Sequence, residues 1–125
     1  MNYDEFIEAY FNLFGLALSV SEKARREGLL ALEETLDSGR ASNREIFEYG
    51  MQFVVDGTDA AIIDKILSRI ISHEKDTYKA LLKAIEKEAV LSIQAGDNPR
   101  ILIHLMGSYV DIPFSDPRYE KILHD

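Results

Sequence analysis

Three histidines, His73, His104 and His124, are the first residues to test for chemistry. His73-Glu74 begins like the zinc-protease pattern, in which two imidazoles one helical turn apart hold a metal and the glutamate serves as base. The position four after His73 is Thr77, so no second imidazole faces the first. Asp56-Gly57-Thr58-Asp59 sets acids on either side of a glycine turn. A calcium loop needs oxygen ligands at five or more positions, whereas a turn that stops one helix and caps the next explains all four residues. The chain has no cysteine, no glycine-rich phosphate loop, no dinucleotide fingerprint and no G-x-S-x-G elbow. Its carboxylates lie mostly in helix faces beside basic neighbours, the pattern of a solvated surface. The residues therefore name no catalytic group, no metal and no cofactor. The expectation is a protein that binds and does not react.

Composition narrows what it could bind. A chain of 125 residues fits one domain, 1–125, and 46% hydrophobic with 29% charged residues is globular. The net charge is −8, from 22 acidic and 14 basic residues. That excess argues against a nucleic-acid partner and against an anionic membrane surface. No run approaches the ~18–20 apolar residues of a membrane span. The most apolar stretch, Phe11 to Val20, is about half that. The first residues are acidic, unlike a signal or transit peptide, and the absence of cysteine agrees with a cytoplasmic location.

The periodicity is helical throughout. From Tyr3 to about Leu36 apolar residues recur at helical spacing, predicting one long helix or two collinear ones that end at Asp37-Ser38-Gly39. Gly28 inside this run costs about 1 kcal/mol against Ala, which predicts a close helix approach there. Its front end is dense in aromatics (Tyr3, Phe6, Tyr10, Phe11, Phe14), either a packed core face or a subunit interface in a homodimer. Ser42-Asn43-Arg44-Glu45 reads as a capping box opening a helix to about Val55. A sustained stripe from about Ala60 to Ala95 predicts a helix roughly 50 Å long, with a polar waist or kink at Ser72–Asp76. Asn98-Pro99 starts a helix over Arg100–Val110, and Asp116-Pro117 a short one to about Leu123. No strand-like alternation occurs. The expected fold is all-α: a helical bundle of two long antiparallel helices with shorter helices packed on them. Glu27–Glu33 and Glu88–Gln94 echo each other, and so do the stretches after Asn43 and Asn98, as two related helical hairpins would.

Three stretches carry a resemblance. Ala24-Arg-Arg-Glu-Gly-Leu-Leu-Ala-Leu-Glu-Glu34, Phe53-Val-Val-Asp-Gly-Thr-Asp59 and Ala89-Val-Leu-Ser-Ile-Gln-Ala-Gly-Asp-Asn-Pro-Arg-Ile-Leu102 resemble, in order, the cytoplasmic region of MotA-type flagellar stator subunits. That family has four membrane spans. This sequence runs from Ser72-His73-Glu74-Lys75 through Thr77–Glu88 as though the last two had been excised.

The resemblance implies a flagellar-motor role without ion transport. The family meets the rotor switch protein FliG through a basic residue, the first Arg of A-R-x-x-G, and an acidic one, the Glu closing L-x-L-E. Here these are Arg25 and Glu33, at i,i+8 and so about 80° apart if one helix holds both. Pro99 stands where the family has a functionally sensitive proline. Arg25, Arg26, Glu33 and Pro99 are thus the expected partner-binding residues, with FliG or a stator subunit as partner. The alternatives are a helical oligomeric scaffold unrelated to flagella and, more remotely, a small-molecule binder between long helices.

Overall fold

The computed structural model describes residues 1–34 and 45–124. The expected stop at Gly39 and most of the capping box at Ser42–Glu45 lie outside the described residues. All regular structure among the described residues is helical.

Helix α1 (Tyr3–Glu27) is opened by a reciprocal cap. The Glu5 backbone N–H donates to Asn2 Oδ1, and the Asn2 N–H donates back to Glu5 Oε1, each at 2.8 Å. The helix stops at Gly28, well short of Leu36. Gly28 has φ +90°, and a Cβ built there would meet nothing within 4 Å. The glycine is thus required by backbone conformation, which corrects the expectation of a close helix approach. A 3₁₀ turn, Leu29–Ala31, follows.

Helix α2 (Glu45–Val55) leads into the Asp56–Asp59 turn, where Thr58 N–H donates to Phe53 O at 3.0 Å. The single helix expected over 60–95 is two: α3 (Ala60–Ile71) and α4 (Thr77–Ala95). The polar stretch between them is a reversal. Asp76 caps α4 by accepting from Lys79 N–H, and Glu74 accepts from Lys83 Nζ at 2.9 Å. Lys87, a turn further along α4, reaches back to Asp64 Oδ1 at 2.8 Å and Ser68 Oγ at 2.9 Å. Helix α3 therefore runs antiparallel to α4. Helix α5 (Pro99–Gly107) and the short α6 (Pro117–Leu123) complete the order.

Helix α4 is the centre, packed against α1, α2, α3 and α5. Its direction relative to α1 differs from the antiparallel pairing expected. Tyr78 at the start of α4 meets Tyr3 and Phe6 at the start of α1, with ring centroids 5.9 and 5.3 Å apart. At the other end Arg25 meets Gly96. The two longest helices run parallel, because the reversal at 72–76 gives the antiparallel place to α3. Four aromatics of α1 turn inward: Phe6, Tyr10, Phe11 and Phe14 are all buried, the last three around Tyr119 of α6. Those four rings form core, while Tyr3 at the front end is half exposed.

Candidate protein-binding site

The parallel arrangement sets the ends of α1 and α4 side by side. Arg25 occupies the last turn of α1, and its Nη1 donates to the carbonyl of Gly96 at 3.1 Å. Gly96 closes α4, where the last carbonyls have no partner within the helix and the dipole is negative. The guanidinium thus tethers the two helix ends. Arg26 is exposed and stands 3.8 Å from Glu27.

Past Gly96 the chain turns into α5. Ser92 Oγ donates to Asp97 Oδ2 at 2.8 Å, Asn98 Oδ1 accepts from Arg100 N–H at 2.9 Å, and Pro99 takes the first helical position. Pro99 is thus three residues from the carbonyl that Arg25 holds. Between the helix ends lies a cleft of about 350 Å³, lined in part by Ser21, Arg25, Leu29, Gln94 and Asp97. Gln94 Nε2 donates to Thr58 O at 2.7 Å, while its Oε1 is buried without a partner among the described residues.

Glu33 is exposed, but it follows the break at Gly28 and the 3₁₀ turn. The 80° separation expected for Arg25 and Glu33 does not apply, since they no longer share a helix. The structure thus joins Arg25 to the segment that carries Pro99 and places Glu33 on a separate element. The residues missed from sequence are Gln94 and Asp97. No pattern in the sequence marked them, since Gln94 answers the carbonyl of Thr58, 36 residues away, and Asp97 accepts from the Ser92 hydroxyl.

The most chemically unusual pair is elsewhere. The Tyr10 and Tyr119 hydroxyls are hydrogen-bonded to each other, both fully buried, and burial pushes both phenols above their ordinary pKa. Sealed in the core, they meet no substrate. Among the described residues no group of three or more His, Asp or Glu side chains could hold a metal ion, and no helix is long and apolar enough to cross a membrane.

Comparison with known proteins points the same way as the three sequence stretches. The chain is similar to Motility protein A of Borreliella burgdorferi, 34% identical over 71 residues, or 57% of this chain and 26% of that protein. Motility protein A of Treponema phagedenis is 32% identical over 74 residues, and that of Treponema pallidum 30% over 74, each match covering 59% of this chain and 27% of the relative. The chain spans about a quarter of the length of the curated relatives it matches. The homology is weak. No family model matches the chain, and no solved structure does.

Proposed function

We propose that this chain is a non-enzymatic, MotA-like binding module that acts in the cytoplasm on the flagellar motor. It docks on the rotor switch protein FliG, or else on a stator subunit, through the end where α1 and α4 finish. The similarity to Motility protein A carries the reading. It is supported by the tether between Arg25 and Gly96, which brings Arg25, Arg26 and the Pro99 turn to one end of the molecule. Glu33 contributes from the far side of the Gly28 break. A homodimer, the assembly expected from the aromatic front of α1, would draw on the half-exposed Tyr3, since Phe6, Tyr10, Phe11 and Phe14 are buried within the chain.

Exposed charge pairs are individually worth below about 1 kcal/mol, so reversal is a more sensitive probe than removal. Arg25→Glu would also place a carboxylate against the Gly96 carbonyl, mixing binding with stability. Arg26→Glu and Glu33→Lys avoid that. In a titration against purified FliG and against the stator cytoplasmic region at low salt, wild type binds one of them. The double variant Arg26→Glu/Glu33→Lys loses about tenfold, mostly in association rate. Absence of binding to both partners by wild type overturns the motor reading. Binding that the double variant leaves unchanged overturns this end of the molecule as the interface.

A further inference from the structure

At the other end of α1 from Arg25 lies a groove of about 380 Å³. One side is a ridge of Tyr3, Ile7 and Phe11, and the next is a ridge of Asp4, Glu8 and Asn12. Both follow i, i+4, i+8 spacing, so they run side by side along the helix for about 12 Å. The floor is apolar, with Ile7 and Phe11 nearly closed off and Tyr3 half exposed at the mouth. Asp4 and Glu8 are exposed and have no hydrogen-bond or ion-pair partner among the described residues beyond the helix backbone.

The far wall shows what the groove accepts. Arg118 of α6 lies with its guanidinium 4.8 Å over the Phe11 ring. Asp116 grips that guanidinium at both oxygens, Nε at 3.0 Å and Nη2 at 2.9 Å. The charge of Arg118 is therefore answered within its own loop, and Asp4 and Glu8 leave the groove negative. In a chain of net charge −8, the complement is a cation with an apolar stem.

We propose that this groove docks a basic segment of a partner protein. Lysine or arginine stems of that segment lie along Tyr3, Ile7 and Phe11, and their charged heads meet Asp4 and Glu8. The surface is separate from the Arg25 end and does not depend on the reading given for it.

The test titrates the whole chain with a labelled short peptide of alternating arginine and leucine at low salt, beside a peptide with glutamate for arginine. The arginine peptide binds, more weakly as salt rises, and the glutamate peptide does not. Asp4→Asn/Glu8→Gln weakens binding about fivefold to tenfold. Asp59→Asn/Asp111→Asn removes the same charge from exposed positions elsewhere and changes it less than about twofold. Arg118→Ala vacates the Phe11 face and tightens binding. Failure of the arginine peptide to bind overturns the proposal, as does equal weakening by the two double variants, which marks attraction to net charge alone. Circular dichroism on each variant confirms that the helices persist.

Discussion

Gly50 tests the packing of α2 on α4 quantitatively. A methyl carbon added there would stand 2.9 and 3.0 Å from the two methyls of Val90 and 3.0 Å from Leu67 Cδ1. Carbon atoms are best separated by about 3.5–4.0 Å, so the overlap is about half an ångström or more on two sides. Val90 and Leu67 are both fully buried, and turning Val90 about its first side-chain torsion only exchanges one obstructing methyl for the other. Overpacking of this kind costs about 2 kcal/mol, against about 1 kcal/mol gained by replacing glycine with alanine inside a helix. Gly50→Ala is therefore destabilising by about 1 kcal/mol. Val90→Ala alone costs about 2 kcal/mol for its lost methyls. With Val90 already shortened its two contacts are gone and the Leu67 side chain can shift into the vacated space, so Gly50→Ala should then stabilise by about 1 kcal/mol. The coupling in the double-mutant cycle is thus about 2 kcal/mol. Urea unfolding of the four proteins, followed by circular dichroism, measures it. A cycle that closes within about 0.5 kcal/mol, or a Gly50→Ala protein more stable than wild type, refutes the close approach.

Two further predictions concern carboxylates. Glu86 is buried on α4 and accepts from Phe47 N–H at 2.9 Å, serving the first turn of α2 from another helix. Glu86→Ala leaves that donor and a void behind and costs about 2–3 kcal/mol, while Glu86→Gln keeps an acceptor of the same shape and costs less than half as much. Equal urea midpoints for the two variants would show that the bond is not what matters. Asp116 is held at about 2, below its ordinary 3.8, chiefly by the Arg118 side chain and then by the Arg118 backbone N–H. Its contribution to stability is present above pH about 4 and is lost as pH falls towards 2. In Arg118→Ala the midpoint of Asp116, followed by NMR, should climb towards 3.8, and no change would contradict the pairing.

What could be read from the sequence was local. The stops and starts at Asp56-Gly57, Asn98-Pro99 and Asp116-Pro117 stand where their residue types put them, because turns and caps are made by neighbours in the chain. Gly28 misleads because glycine serves two purposes that look alike in a helical pattern, a positive φ and a close approach. Gly28 has the first and Gly50 the second, and only neighbours distant in sequence tell them apart. The 60–95 stripe read as one helix because its apolar period survives the break. The reversal is held by Lys87 with Asp64 and Lys83 with Glu74, pairs 23 and 9 residues apart that no window of periodicity reports. The aromatic run of α1 posed the same difficulty. Its density fits a core or an interface equally well, and Tyr119, which gathers those rings inside, lies over a hundred residues further along.

The direction of α1 decides whether the proposed interface exists as one surface. Had α1 and α4 been antiparallel, Arg25 would stand near Thr77, and the Pro99 turn would lie the length of α4 away. Over 19 residues that is about 28 Å. No single side of a small partner domain would then read Arg25 and Pro99 together. With the helices parallel, one guanidinium–carbonyl bond joins the two ends. A partner gripping Arg26 and the Pro99 turn would thus be holding α1 and α4 in one relative position. Loss of the tether should therefore weaken docking even though Arg25 spends its hydrogen bond inside the molecule. Arg25→Gln, which keeps an N–H donor without the charge, separates the roles. If the tether is what counts, it binds the motor partner nearly as wild type does while Arg25→Ala does not. If charge is what counts, the two fail alike.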